Sequence, residues 1–283
     1  PDLAGTERPY HALLDAVIAR QADLVARWLL VGFIHGVMNT DNTSISGETI
    51  DYGPCAFMDE YNPSTVFSSI DEMGRYAYGN QPRIALWNLT RLAECLLPLF
   101  SDDKDKAIEQ AQSALGGFAD KFTTAYQAGL RAKVGLFTQR EGDEALVQDL
   151  LDAMTRNQAD FTNTFRRLGD AALGPDHDEP VRGLFVDPTM FDEWAKRWRQ
   201  RTALEQEMPA ERRAAMHRVN PAFIARNHRV EAAIQAAVIQ DDYAPFEELL
   251  TVLSKPFEDQ PAFAAYAELP ESHQRVTQTF CGT

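Results

Sequence analysis

Between residues 7 and 34, apolar side chains recur at three- and four-residue steps: Leu13, Leu14, Val17, Ile18, Leu24, Val25, Trp28 and Leu29. That period belongs to one long helix with a single buried stripe. At about 1.5 Å per residue it would run about 40 Å, a domain spine that must be covered along its length by other elements. The stripe stops at His35-Gly36, and residues 36–64 turn polar, with Asn39, Asp41, Asn42, Ser44, Gly47, Gly53, Pro54, Asn62 and Pro63 as turn formers. Inside this stretch Thr43-Ser-Ile45 and Glu48-Thr-Ile-Asp-Tyr52 have the pattern of strands, which predicts a short β-hairpin around Gly47.

Helical periodicity then dominates. It predicts helices over 84–99, 104–134, 144–168, 190–206, 228–240 and 243–254, broken at 98–103, 135–142 and 169–188. Neither a 20- to 50-residue repeat nor a low-complexity tract is present. The expected fold class is mainly α with one small hairpin, a core unit over 1–100 and a helical remainder over 101–283.

Charge narrows the function. The 283 residues carry 42 Asp and Glu against 27 Lys and Arg, a net charge of −15, which argues against nucleic-acid or anionic-membrane partners that draw on clustered cations. The longest apolar run, Trp28 to His35, is too short to span a bilayer. Three scattered cysteines, Cys55, Cys95 and Cys281, with no signal-peptide pattern fit a cytoplasmic setting. Residues 191–231 run against the general charge, with nine Lys and Arg among six acids. They read either as solvated faces laced with opposite charges or as a surface for an acidic protein or a phosphate. From Asp241 onward eight acids face only Lys255 and Arg275, which predicts an exposed tail.

The segment that carries chemistry is His35-Gly-Val-Met-Asn-Thr-Asp-Asn42 with Ile50-Asp-Tyr-Gly-Pro54. Asn42 ends a polar loop leaving the long helix, and Asp51 ends a predicted strand, just before a turn. One amide oxygen and one carboxylate suit Mg²⁺, which takes hard oxygen ligands and draws most of its shell from water and phosphates. The order helix, loop, Asn, hairpin, Asp is that of kinase-like phosphotransferases, whose loop has an Asp five residues before the metal Asn. Here that position is Val37, which cannot accept a proton, and Asp41 is the nearest carboxylate that could. Spacing alone leaves ordinary Asp/Asn turn chemistry open as the alternative.

The strings His35 to Ile45, Thr49-Ile-Asp-Tyr-Gly-Pro54, Gly74-Arg-Tyr-Ala-Tyr-Gly-Asn-Gln-Pro82, Ala85-Leu-Trp-Asn-Leu-Thr-Arg-Leu-Ala93 and Asn220-Pro-Ala-Phe-Ile-Ala-Arg-Asn-His228 resemble the selenoprotein O family over essentially the whole chain. The resemblance implies a protein-kinase-like C-lobe in a pseudokinase family that transfers AMP from ATP to protein hydroxyls. It implies Asp41 as proton acceptor, Asn42 as a Mg²⁺ ligand, and Asp51 as a Mg²⁺ ligand that also touches ATP, with Mn²⁺ a possible substitute. It also implies a missing N-terminal lobe, since no glycine-rich loop or strand lysine precedes His35, so this portion alone is expected to bind Mg²⁺ and ATP weakly and to be inactive. A conventional phosphotransferase and a non-catalytic pseudokinase scaffold are the alternatives.

His35 reads as a loop-packing residue rather than an acid or base. Trp87 and Cys95, at helical spacing with Ile84, Leu92 and Leu96, read as core, while Arg75 could pair with phosphate or with a loop carboxylate. Asp59 is expected beside Asp41, Asn42 and Asp51 on an exposed face bordered by apolar surface. Cys281, at the position of the family's selenocysteine, is a candidate disulfide partner for Cys55.

Overall fold

The computed structural model describes residues 3–280. Helix α1 covers Pro9–Leu30, shorter than expected because the chain leaves it for an extended pair of residues, β1 (Phe33–Ile34). After the loop comes β2 (Ala56–Phe57), followed by α2 (Gln81–Phe100), α3 (Lys104–Lys133), α4 (Asp143–Asn157), α5 (Phe161–Ala171), the single turn α6 (Glu179–Arg182), α7 (Pro188–Thr202), α8 (Pro209–Val219), α9 (Asn227–Gln240) and α10 (Ala244–Leu253). The molecule is mainly helical, and its named sheet is the antiparallel pair of β1 and β2, with Phe33 opposite Phe57 and Ile34 opposite Ala56.

The hairpin expected around Gly47 is reduced to one antiparallel bridge, Thr43 with Thr49, closed by a turn in which Gly47 N–H donates to Ser44 O. Asp51 therefore ends no strand. The side chains of α1 take the place of a strand partner: Gln21 Nε2 donates to Ser44 O at 2.6 Å and Trp28 Nε1 to Thr49 Oγ1 at 2.9 Å.

The spine behaves as its stripe predicts. Leu14, Ile18 and Val25 of α1 are buried against Ile84, Leu89 and Ala93 of α2 and Ala111 and Phe118 of α3. Gly129 lets α1 and α3 touch, since a Cβ there would lie 2.1 Å from Leu30 Cδ1. A second core joins Leu29 and Ile34 to α4, α5 and α7 through Leu150, Met154, Phe161, Phe165, Trp194 and Trp198. The helix predicted over 144–168 is two helices. Gln158 takes a left-handed φ of 51°, and the Asp160 carboxylate accepts the Asn163 N–H at 2.6 Å, capping α5 while the apolar stripe continues. Helix α8 was not predicted: it carries almost no stripe, burying Met216 and Arg212, and Glu211 accepts the Met208 N–H at its start.

The basic stretch is mostly paired internally. Arg197 meets Asp149, Arg199 meets Asp178, Arg201 meets Asp143 and Glu205, and Arg213 meets Asp170. The expected exposed tail is partly tied down. Val252 is buried with Phe223, Arg275 pairs with Glu60, and Thr279 N–H donates to Phe67 O at 2.7 Å.

Candidate functional site

The loop between β1 and β2 is held from two sides. On one side stand Gln21 and Trp28 of α1. On the other, α2 supplies Gln81, whose Oε1 accepts the His35 N–H at 3.0 Å while its Nε2 donates to Phe33 O at 3.0 Å. Two helical turns further along, Asn88 Nδ2 donates to Met38 O at 3.1 Å and to Thr43 Oγ1 at 2.9 Å. Just before α2, the Tyr76 hydroxyl donates to Asn39 Oδ1 at 2.6 Å. Sequence reasoning missed these supports. Their signal was present as polar residues seven apart on otherwise apolar helix faces, Gln21 with Trp28 and Gln81 with Asn88.

Gly36 makes the loop possible. Its φ is +83°, and a Cβ there would lie 2.8 Å from Pro54 O, so the two limbs of the loop touch at a residue without a side chain. His35 beside it is buried, and burial pushes its pKa down despite the Asp51 carboxylate, which raises it. Neutral, it accepts the Val37 N–H through Nδ1 at 3.4 Å, a packing role. Val37 itself is buried.

Asp41 and Asn42 lie in a 3₁₀ turn, Thr40–Asn42. The Asp41 side chain is exposed. Asn42 donates through Nδ2 to Val37 O at 2.9 Å, which turns its oxygen away from the loop backbone. Asp51 accepts the Gly53 N–H through Oδ1 at 2.9 Å, leaving Oδ2 without a hydrogen bond among the described residues. Its charge is felt at His35 and at Cys55. No group of three or more His, Cys, Asp or Glu that could hold a metal ion occurs among the described residues. Asn42 offers an amide oxygen and Asp51 a carboxylate oxygen, hard donors of the type that suits an ion completing its shell with water and phosphate.

Several expected members belong elsewhere. Asp59 is bound to Arg226 at 2.6 Å in an ion-paired group with Asp160, and does not face the loop with Asp41. Trp87 is exposed rather than core, stacked between the guanidinium groups of Arg75 at 4.9 Å and Arg91 at 5.3 Å. That stack also occupies Arg75, whose backbone N–H, not its side chain, meets Asp71. Cys95 is exposed. Cys55 is half-buried, and burial together with Asp51 pushes its pKa up to about 11, so it remains a thiol at neutral pH. Cys281, its suggested partner, lies outside the described residues.

Apolar side chains do border the site: Ile45, Ile50 and Tyr52 are all exposed. A cavity of about 740 Å³ adjoins Tyr52 and Cys55, walled on its far side by Ile234 of α9 and by residues 276–280. Among the described residues no helix is long and apolar enough to cross a membrane.

Comparison with known proteins identifies the family to which the chain belongs. The chain is 74% identical over all 283 residues to the protein nucleotidyltransferase YdiU of Bradyrhizobium diazoefficiens, and 74% identical to that of Bradyrhizobium sp. strain BTAi1, covering 57% of each relative's length. It is 65% identical to the protein nucleotidyltransferase YdiU of Rhodopseudomonas palustris strain BisB5, again over its whole length and 58% of the relative. The chain therefore spans little more than half the length of these relatives. The family model described as protein adenylyltransferase SelO matches residues 1–254, and the chain belongs to that family.

Proposed function

We propose that the protein of which this chain forms a part transfers AMP from ATP to hydroxyl groups of protein substrates, on a kinase-like C-lobe whose catalytic turn is Thr40–Asn42. The observation that carries this is the pairing of an exposed Asp41 with a buried Val37. The position a kinase gives to its base holds an apolar side chain, while a carboxylate four residues later stands free to accept a proton. Family membership and the relatives' description as nucleotidyltransferases support the same reaction.

In this mechanism Asp41 takes the proton of the attacking hydroxyl as its oxygen bonds to the α-phosphorus, and pyrophosphate leaves. Asn42 and Asp51 would hold Mg²⁺, or Mn²⁺ in its place, and the metal, when bound, neutralises phosphate charge. Asn42 is pre-aimed by its bond to Val37 O, and Asp51 by the Gly53 N–H, so neither side chain has to be ordered when nucleotide arrives. His35 stays neutral and braces the loop backbone. The exposed Ile45, Ile50 and Tyr52 would meet the rest of the protein or the nucleotide base.

Incubation of the full-length protein with ATP, Mg²⁺ and a protein substrate, followed by intact-mass measurement, tests the assignment. An AMP-sized increment is expected, lost in Asp41→Asn while nucleotide binding persists. A phosphate-sized increment would favour conventional phosphotransfer, and no increment with retained ATP binding would favour a scaffold.

A further inference from the structure

Between Met73 and Arg91 the sequence holds three arginines and no acid, in a chain whose net charge is −15. Arg91 is paired with Glu94. Arg75 and Arg83 are exposed, and among the described residues neither side chain has an ion pair or a hydrogen bond. This sets them apart from Arg197, Arg199, Arg201 and Arg213, which all meet carboxylates of the chain. Arg75 and Arg83 line one open cavity, of about 280 Å³, together with Met73, Asn80, Ile84 and Trp87.

The backbone that carries Arg75 is fixed. The Asp71 carboxylate accepts the N–H of Arg75 at 2.8 Å and that of Tyr76 at 2.7 Å, and Asn80 Nδ2 donates to Gly74 O at 2.8 Å. The carboxylate closest in sequence is thereby used on backbone rather than on the guanidinium. That guanidinium lies 4.9 Å from the centre of the Trp87 ring and 5.6 Å from that of Tyr76. Stacking engages the face of the planar group and leaves its N–H donors, which point outward in the plane, without acceptors. The arginine is thus held in place with its hydrogen-bonding edge open, which suits bidentate pairing with a carboxylate.

The platform is also fastened to the catalytic turn. Tyr76, next to Arg75, donates its hydroxyl to Asn39 on one side of Thr40–Asn42, and Asn88, next to Trp87, donates to Thr43 on the other. We propose that Arg75 and Arg83, with Trp87, dock an acidic segment of the protein substrate near the hydroxyl that is to be modified. Carboxylates of that segment would pair with the two guanidinium groups, and its apolar atoms would lie on Trp87 and Met73, which are 41% and 91% exposed. The inference rests on the proposed transfer to protein hydroxyls and names the class of substrate. The two arginines select and position the substrate and do not touch the reacting atoms.

The probes are two fluorescently labelled peptides, Asp-Glu-Gly-Ser-Gly-Glu-Asp and the same peptide with Asn and Gln in place of Asp and Glu. Each is titrated against the full-length protein by fluorescence anisotropy, which needs no catalysis. The acidic peptide should bind about tenfold more tightly, and the double variant Arg75→Gln with Arg83→Gln should bind the two alike. Both positions are exposed, so the variant should keep the wild-type melting temperature and ATP affinity. In AMP transfer followed by intact mass, its KM for the acidic peptide should rise about tenfold with kcat unchanged. Equal binding of the two peptides to the wild type, a preference that survives in the double variant, or tighter binding of a single-stranded oligonucleotide of equal charge through the same arginines would overturn the assignment. A preference that depends on the arginines without any AMP-sized increment would support acidic docking and remove the AMP-transfer reading instead.

Discussion

The guanidinium of Arg226 grips the carboxylate of Asp160 through two hydrogen bonds, of 2.6 and 3.0 Å, with both side chains sealed from solvent. The same guanidinium reaches Asp59 at 2.6 Å, and the next residue, Asn227, bonds both the N–H and the carbonyl of Phe57. Arg226 and the first residue of α9 thereby fasten β2 to the start of α5. Burial is the main influence on Asp59, raising its pKa against the pull of Arg226.

Breaking one side of this pair should be worse than removing both. Arg226→Met leaves the buried Asp160 carboxylate beside the half-buried Asp59 without their cation and should cost about 3–5 kcal/mol in urea denaturation. The combined change Arg226→Met with Asp160→Asn should recover part of that loss. Equal midpoints for the single and double variants would count against the buried-pair account.

Lys133 gives the protein a distinctive alkaline response. Its amine is buried over the Phe165 ring at 4.2 Å, and burial lowers its pKa to about 7. The aromatic face favours the charged form, but loss of hydration outweighs it. The folded state then holds fewer protons than the unfolded chain between about pH 7 and the ordinary lysine value, so this residue makes stability rise with pH across that range. Lys133→Met should flatten the rise and stabilise the protein at pH 7 by a few kcal/mol, as read from denaturation curves at several pH values.

Gly36→Ala tests the contact between the loop limbs. The added methyl meets Pro54 O in a left-handed backbone, and the expected destabilisation is about 1–3 kcal/mol. Amide shifts should move at Val37 and Cys55 together, because the strain sits where the two limbs touch.

Asp51→Asn tests the electrostatics of the loop. The carboxylate raises the pKa values of both His35 and Cys55, so its neutralisation should lower both. An NMR titration of His35 and the alkylation rate of Cys55 against pH report the two changes. An unmoved His35 would place Asp51 outside its electrostatic reach.

Trp87→Ala distinguishes the stacked position from a core one. Loss of the two guanidinium contacts should cost about 0.5–1 kcal/mol, against about 3–5 kcal/mol for a buried tryptophan. A loss of the larger size in thermal denaturation would restore Trp87 to the core.

The comparison of Trp87 with Asn88 shows why part of the site was hidden in the sequence. The buried stripe of α2 runs through Gln81, Ile84, Ala85, Asn88, Leu89 and Ala93, so its face includes two polar residues, and the three-residue step from Ile84 that predicted Trp87 as core falls on the opposite side of the helix. The long helices α1 and α3 were legible because their stripes are long and wholly consistent. The strands were not, since a two-residue pair such as Phe33–Ile34 with Ala56–Phe57 is shorter than any period, and the extended residues near Gly47 are satisfied by Gln21 and Trp28. Asp41, Asn42 and Asp51 are proposed from their order along the chain. The displacement of Asp59 toward Arg226 depends on a residue 167 positions away, which no local pattern carries.

Thr279 ties a late segment of this chain to a much earlier one. Its hydroxyl donates to Pro54 O at 2.5 Å and its backbone pairs with Phe67 and Ser69, more than two hundred residues earlier. On the ribosome, α1 and the loop that follows it emerge long before this tie exists. The spine can pack as soon as α2 and α3 have appeared, but the segment behind Asp51 must wait for nearly the last codons of the chain described here. Fastening of the loop therefore trails the packing of the helices that precede Thr279, and a ribosome stalled a few codons before Thr279 would hold a helical body whose loop is still unfastened.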